Sequence, residues 1–289
     1  MTISRMEKLF SLANSIMLST FALLAVTPFV HVLALSFSSY RAIMTGEVVF
    51  WPVEWTLHAY REVLGDDAFV NATVVSVERT LLGTAVNVTL TCLLAYPLSK
   101  SYIYGRQTVL FMLAFTLIFG GGMIPTYLVV KETGLLNSFW AYIIPSALSA
   151  FNVIIMKNFF QSVPNELEES ARIDGCGNLG ILLRIVVPLS MPAIATIALF
   201  HGVGHWNAFF DAVLYVNDKK LYPLQVYLRN LIQLNDTQIH LTDGLERQML
   251  AMESLKSAAL ICSTIPILLV YPFLQKYFVK GIMLGSVKG

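Results

Sequence analysis

The chain has 289 residues, of which 56% are hydrophobic and only 13% are charged, and its formal net charge at pH 7 is +1. A soluble domain carries roughly 25% charged residues, so this composition excludes an ordinary soluble protein and predicts one surrounded by membrane lipid. The near-neutral charge gives no reason to expect nucleic acid as a partner.

The N-terminal segment predicts a retained membrane span. Arg5 and Lys8 precede an uncharged run that is too long for the core of a cleaved signal peptide. Five further runs without Asp, Glu, Lys or Arg also reach the roughly 18 residues needed to cross the hydrocarbon core. Backbone in lipid must satisfy its own hydrogen bonds, so these runs predict an all-α protein with one transmembrane domain, 1–289. The six predicted spans are about 11–40, 72–99, 107–130, 133–158, 183–210 and 257–278.

An even number of spans places both termini on one side of the membrane. If that side is the cytoplasm, ten of the nineteen Lys and Arg residues lie in the inner segments. This modest excess agrees with the tendency of positive charge to stay inside. The sequence therefore predicts a multi-pass membrane protein with cytoplasmic termini.

Two features of the early spans bear on function. Glu78 and Arg79 stand at the start of the second span, where they could line a cavity mouth or pair with a partner subunit; we favour a structural role for them. In the third span, the run 120–122 is three glycines and predicts a bend. Prolines punctuate the helices elsewhere and mark either breaks that border a transport cavity or ordinary kinks. They are Pro97, Pro125, Pro145, Pro188, Pro192, Pro266 and Pro272.

The loop after the fourth span, at about 162–182, predicts a short helix with both ends marked. Pro164 suits its first turn, and Gly175 can adopt the left-handed conformation that ends a helix. Glu168 and Arg172 stand at i, i+4 and could pair. A stripe of mostly small residues on one face would let another surface come close: Leu167, Ser170, Ala171 and Asp174. Periodicity alone favours a capped interfacial connector.

The order of residues in this loop resembles the "EAA" loop of ABC-importer permeases. Glu169-Ser170-Ala171 is followed after three residues by Gly175, after nine more by Ile185, and then by Val187-Pro188. The family has alanine where this chain has Ser170 and leucine where it has Val187. The resemblance implies the type I importer permease fold, with a coupling helix that docks on a cytoplasmic ATPase. The implied coupling residues are Glu169, Ser170, Ala171, Asp174, Gly175 and Pro188.

Other segments resemble the carbohydrate-uptake branch of that family, and in particular its subgroup for complex oligo- and polysaccharides. They include 95–100, 119–127, 134–138 and 271–281. The C-terminal 285–289 is similar to the tail that, in the maltose-type second permease, reaches into the ATPase dimer. The resemblance implies a bacterial inner-membrane heterodimer with a second permease, two ATPase copies and an external solute-binding protein. ATP and magnesium would be used by the ATPase, and this chain would bind no cofactor.

The outer half of the fifth span combines aromatic and polar side chains that could meet a sugar. Aromatic rings cover C–H faces, and Asn or His can pair with hydroxyl groups. An aromatic belt at the outer membrane boundary explains the same residues equally well. The candidates are His205, Trp206, Asn207, Phe209 and Tyr215. His201 and His205 share a helix face, and we expect hydrogen bonds within the bundle rather than a metal there.

The chain has no Gly-rich loop ending in Lys-Ser or Lys-Thr, so ATP hydrolysis is expected from another subunit and this chain is not expected to be an enzyme. Lys219, Lys220 and Arg229 on the predicted outer side suggest an acidic cargo, although a solvated loop face looks the same. Three alternatives stay open: an ion-coupled secondary transporter, an ABC permease for a non-sugar solute, and a structural or sensory membrane protein.

Overall fold

The computed structural model describes residues 5–238, 252–270 and 272, in which helices are joined by turns and irregular segments and no strand occurs. The α-helices in chain order are α1 (Arg5–Ser36), α2 (Tyr40–Met44), α3 (His58–Gly65), α4 (Asp67–Ser99), α5 (Arg106–Ile118), α6 (Met123–Glu132), α7 (Ala150–Gln161), α8 (Asn165–Ile173), α9 (Asn178–Ile181), α10 (Val187–Leu189), α11 (Met191–Asn207), α12 (Phe210–Tyr215), α13 (Leu224–Gln238) and α14 (Met252–Val270). A π-helical turn, Leu182–Val186, joins α9 to α10.

The helices are grouped in two compact units, each built from separate stretches of the chain. The first comprises Met1–Val70 and Leu228–Pro266, and the second comprises Asn71–Tyr227 and Ile267–Gly289. In the first unit, the Phe37 ring lies 5.5 Å from Trp55 and 4.8 Å from Tyr60, centroid to centroid. The Tyr60 hydroxyl lies 2.8 Å from the Ser36 hydroxyl, which fixes the end of α1 against α3.

The second unit contains two hydrophobic cores, and α4 contributes to both. The first core is formed by Cys92, Ala95, Tyr96, Leu98, Val153, Met156, Phe160, Val163, Ile181, Leu182, Val186, Ala193 and Ile197. The second core is formed by Val75, Val130, Ala141, Tyr142, Ile143, Ala212, Tyr215, Val216 and Val226. Because both ends of α4 are packed, this helix connects the two cores directly.

Large apolar side chains are exposed along whole helices, which is expected where the solvent is lipid rather than water. The 18-residue apolar window of α1 has no buried residue, and neither has α5. On a soluble protein such continuous apolar surface would cause aggregation. The distribution therefore agrees with the membrane assignment made from composition.

The first, second and sixth predicted spans correspond to α1, α4 and α14, which are long and apolar enough to cross a membrane as single helices. Within the described residues, α14 already includes Met252, five residues before the predicted run. Predicted span residues 271 and 273–278 lie outside the described part of the chain, as does the 285–289 tail.

The third predicted span is wrong as a continuous helix. It is α5 followed by α6, bent by 119°. The break falls on the glycine run, and Gly122 has φ 84° and ψ 172°, a conformation that a residue with a Cβ rarely adopts. The bend predicted for this run is thereby confirmed.

The fourth and fifth predicted spans are also interrupted. Between 133 and 158 the chain forms a short 3₁₀ turn, Phe139–Tyr142, and then α7, which begins only after Pro145. The fifth span bends by 85° between α10 and α11, at Ser190. Pro188 and Pro192 flank this bend, and each lacks the backbone N–H that a continuous helix would use.

Candidate functional site

The predicted short helix after the fourth span is confirmed as α8. It begins directly after Pro164, and Gly175 has φ 81°. The Gly175 N–H donates to the carbonyl of Arg172 at 3.0 Å, and the Cys176 N–H donates to that of Ala171 at 2.8 Å. These two bonds form a Schellman motif, which closes the helix by satisfying its last carbonyl groups.

The predicted pairing of Glu168 with Arg172 is wrong, because Glu168 points inward. Its carboxylate forms a salt bridge with the ammonium group of Lys100, the first residue after α4. Only 5% of the Glu168 side chain and 8% of the Lys100 side chain are exposed. The Lys100 nitrogen also lies 5.0 Å from the Tyr96 ring centroid, and the Tyr96 hydroxyl lies 3.5 Å from the carboxylate. A surface i, i+4 pair contributes only about 0.2–0.5 kcal/mol, so the buried partner prevails.

Arg172 instead extends along the surface to the segment that follows α4. Its guanidinium donates a 2.6 Å hydrogen bond to the hydroxyl of Tyr102. That bond raises the pKa of Arg172 above its ordinary value, because the hydroxyl oxygen stabilises the charged form. The same end of α4 is held from two further sides, since Arg106 donates to the carbonyl of Leu98 at 2.7 Å and Gln161 to that of Ser99 at 3.3 Å.

The residues predicted to couple to an ATPase lie on different faces of this segment. Glu169, Ser170, Asp174 and Gly175 are exposed, together with Leu167 of the predicted stripe. Ala171 is partly buried and packs against the first core. Pro188 is exposed on α10, two residues before the bend in the fifth span. The exposed members form a surface on α8 and the residues just after it that the described part of the chain leaves open.

A second polar cluster surrounds Arg79, which is 1% exposed. Its guanidinium pairs with the carboxylate of Asp211 and donates to the carbonyl of Ala208 at 3.2 Å. It also lies 4.6 Å from the ring centroid of Tyr142. Arg79 therefore ties α4 to the start of α12, as the structural interpretation expected, while Glu78 beside it is exposed.

The two histidines of the fifth span form a third cluster, with Asn87 of α4 at its centre. The Asn87 amide nitrogen lies 3.1 Å from Nδ1 of His201 and 3.1 Å from Nε2 of His205. The Asn152 amide lies 3.0 Å from Nε2 of His201. Hydrogen bonding of both histidines within the bundle is thereby confirmed. A neutral imidazole has one donor and one acceptor, so one of the two amides must present its oxygen to His201.

The remaining sugar-path candidates do not form a single surface. Trp206 is 7% exposed, Tyr215 is 8% exposed in the second core, and their rings are thus enclosed by this chain. Phe209 is 40% exposed, and Asn207 is exposed but donates to its own helix at Val203, 3.0 Å away. Asn207 and Phe209 are accessible from outside the chain, whereas Trp206 and Tyr215 are not.

Sequence reasoning did not single out Lys100, Asn87 and Asn152. Each stands in or beside an apolar run, and a polar residue in that setting is itself a signal that a partner exists. Their partners could not be named from the sequence, because they are distant along the chain. Glu168 lies 68 residues from Lys100, and His201 lies 114 residues from Asn87 and 49 residues from Asn152.

Comparison with known proteins places these features in a family. Residues 101–284, which contain α8 and most of the second unit, match the family model described as the binding-protein-dependent transport system inner membrane component. The chain belongs to this family. It is accordingly a multi-pass inner-membrane permease component of an ABC importer, a class of subunit that is not itself catalytic.

Individual relatives agree with the family over nearly the full length. The Bacillus subtilis (strain 168) protein called polygalacturonan/rhamnogalacturonan transport system permease protein YtcP is 46% identical, with 98% of this chain and 99% of the relative covered. A chain from the crystal structure of a bacterial ABC transporter involved in the import of the acidic polysaccharide alginate is 35% identical. It has a TM-score of 0.89 over 96% of this chain and 99% of that chain. A further alginate transporter structure, 16% identical with a TM-score of 0.56 over 92% and 93%, shares the fold.

Proposed function

We propose that the chain is one of two permease subunits of an ATP-driven importer that carries an acidic oligo- or polysaccharide across the bacterial inner membrane. The likeness to the alginate importer chain, at 35% identity and a TM-score of 0.89, carries this proposal. The relative named for polygalacturonan and rhamnogalacturonan supports it, because galacturonan units also bear carboxylate groups. Lys219 and Lys220 are exposed and supply positive charge on the predicted outer side.

The proposal includes a single permease domain with six spans, made of α1, α4, α5 with α6, the segment containing α7, α9–α11, and α14 with the residues after it. Both termini lie in the cytoplasm. The partners are a second permease, two ATPase copies that use ATP and magnesium, and the external solute-binding protein to which the family description refers. The chain itself holds no cofactor or metal.

Coupling to the ATPase is assigned to the exposed face of α8 and the segment that follows it. Glu169, Asp174 and Gly175 would form the docking contact, with Ser170 and Ala171 keeping the surface small and Pro188 leading into the bent fifth span. ATP binding would close the ATPase dimer and move α8, and the spans would change between inward-open and outward-open arrangements. The accessible Asn207 and Phe209 are the better candidates for contact with the cargo. The buried Arg79, His205, Trp206 and Tyr215 would support the path from within, and the exposed Glu78 would stand beside it.

The cargo is tested by measuring the ATPase activity of the complete complex, reconstituted in liposomes with its solute-binding protein. Oligogalacturonates should stimulate hydrolysis and accumulate inside, whereas neutral oligosaccharides of the same length should not. Stimulation by neutral oligosaccharides alone would refute the acidic cargo. Uptake that follows an ion gradient without ATP would refute the importer.

The docking contact is tested by substitution. Glu169→Lys and Gly175→Pro should abolish uptake while the protein remains inserted, because the first reverses an exposed charge and the second cannot adopt φ 81°. Glu132→Lys makes the same charge change at the exposed end of α6 and serves as the control. Normal uptake in both α8 variants would contradict the assignment.

A further inference from the structure

We propose that the buried salt bridge between Lys100 and Glu168 transmits the movement of α8 to α4. These two residues position the coupling helix during transport. This inference rests on the proposed function, in which α8 docks on an ATPase. Lys100 and Glu168 lie outside the docking surface, and α4 is the helix that receives the movement.

The first reason is the burial of the pair. Most charged side chains in the loop 162–182 face outward, but Glu168 turns into the protein and meets Lys100 there. Two charges removed from solvent are held firmly only while both are present, since either one alone is left uncompensated. Breaking this contact is therefore costly, so α8 keeps it while it moves.

The second reason is that, within the described residues, the polar contacts of α8 with α4 and the segment after it lie in one short stretch, from Tyr96 to Tyr102. Glu168 meets Tyr96 and Lys100, and Arg172 meets Tyr102. The guanidinium of Arg172 also lies 5.4 Å from the Tyr102 ring centroid. Arg172 stands four positions after Glu168, about one helical turn, so this stretch holds α8 at two successive points along one side.

The third reason is the continuity of α4. It is one helix of 33 residues, about 50 Å long, with Lys100 directly after its last residue. The same helix carries Arg79 and Asn87, which hold α12 and the two histidines of α11. Coupling between distant sites is carried by rigid elements and packed side chains. A displacement of α8 is thus passed to the polar clusters at the other end of the bundle.

The experiment compares sugar uptake and ATP hydrolysis in liposomes that contain the full transport complex. In Glu168→Gln and Lys100→Met, uptake per ATP hydrolysed should fall about tenfold, while the ATPase subunit still copurifies with the permeases. The double exchange Lys100→Glu with Glu168→Lys should restore part of this ratio, because the pair can reform. Lys157→Met is the control, since within the described part of the chain this lysine donates its hydrogen bond to its exposed neighbour Asn158 and to no residue of α4 or α8.

A milder variant keeps the test decisive if the buried variants fail to assemble. Tyr102→Phe removes the exposed hydroxyl that accepts a hydrogen bond from Arg172, and it leaves the first core intact. It should lower the uptake per ATP hydrolysed about twofold to threefold. The inference would be overturned by an unchanged uptake per ATP hydrolysed in Tyr102→Phe and in every pair variant that assembles. Uptake and hydrolysis that fall in parallel would also overturn it. If the unsubstituted complex shows no ATP-driven uptake, the proposed function fails and the inference fails with it.

Discussion

The Arg79–Asp211 pair shows how unequal the two partners of a buried contact can be. The Arg79 side chain is 2% exposed, whereas 25% of the Asp211 side chain is exposed. Asp211→Asn leaves the buried guanidinium without its counter-charge and should lower the free energy of unfolding by about 3–5 kcal/mol. Arg79→Met leaves a carboxylate that water can still reach, and the loss should be smaller, roughly 1–3 kcal/mol.

Thermal unfolding of the purified protein in detergent measures both losses. Glu78→Gln, a change in the exposed neighbour, should alter the free energy by less than about 0.5 kcal/mol. A larger loss in Arg79→Met than in Asp211→Asn would show that the ring contact with Tyr142, rather than the charge pair, dominates at this position.

Gly83 is required where α4 passes His205. A Cβ at this position would lie 2.5 Å from Nε2 of His205 and 2.8 Å from two of its carbon atoms. Gly83→Ala should therefore displace the imidazole from Asn87 and cost about 1–3 kcal/mol of unfolding free energy. Gly204→Ala, in α11, meets nothing within 4 Å and should be neutral or stabilising. Equal unfolding temperatures for the two variants would mean that the histidine cluster does not depend on this close approach.

The sequence was informative about single residues where a local rule applied. Gly175 was predicted to end α8 because a left-handed terminus favours glycine, and the structure confirms it. The partner of Glu168 was missed for a physical reason: the i, i+4 rule names a neighbour on the same helix, whereas burial selects Lys100, which is 68 residues away. Long-range partners of this kind depend on packing that no local pattern contains.

The break between α5 and α6 depends on one glycine of the three. Gly122 has positive φ, whereas Gly120 and Gly121 do not, and none of the three would bring a Cβ within 4 Å of another group. Backbone strain alone should therefore distinguish them. Gly122→Ala should cost about 1–3 kcal/mol, and Gly121→Ala should cost less than about 1 kcal/mol. Thermal unfolding of the two variants provides the comparison, and a greater loss in Gly121→Ala would place the essential residue elsewhere in the run.

The helix breaks mark the limit of what uncharged runs can predict about the spans. Such runs indicate which stretches of the chain can lie in lipid, and they correctly located α1 and α4. They do not require one helix per run, because side chains can satisfy backbone at an interruption. Ser149 illustrates this: its hydroxyl accepts from the Asn152 N–H at 3.4 Å and begins α7 in the middle of the fourth predicted span. The positions of proline and glycine indicated where the other breaks lie, but not the angles between the helices on either side of them.

The same buried pair that holds α8 places two distant segments of the chain on one side of the membrane. Lys100 and Glu168 are in contact, so the segments after α4 and around α8 must lie on one side of the membrane. The chain between them then crosses an even number of times, which two spans built from α5 with α6 and from the segment containing α7 would provide. Positive charge after α4 favours the cytoplasm for that side.

Single cysteines at exposed positions test this arrangement in cells. In a background with Cys92→Ala, Cys176→Ala and Cys262→Ala, we expect Y104C and I173C to react with a membrane-impermeant maleimide only after permeabilisation. W51C should react in intact spheroplasts. The three native residues are exposed by 103%, 87% and 75%, so none of them is shielded by the described part of its own chain. Labelling of Y104C and I173C from opposite sides would require an odd number of crossings between them, which the Lys100–Glu168 contact does not allow.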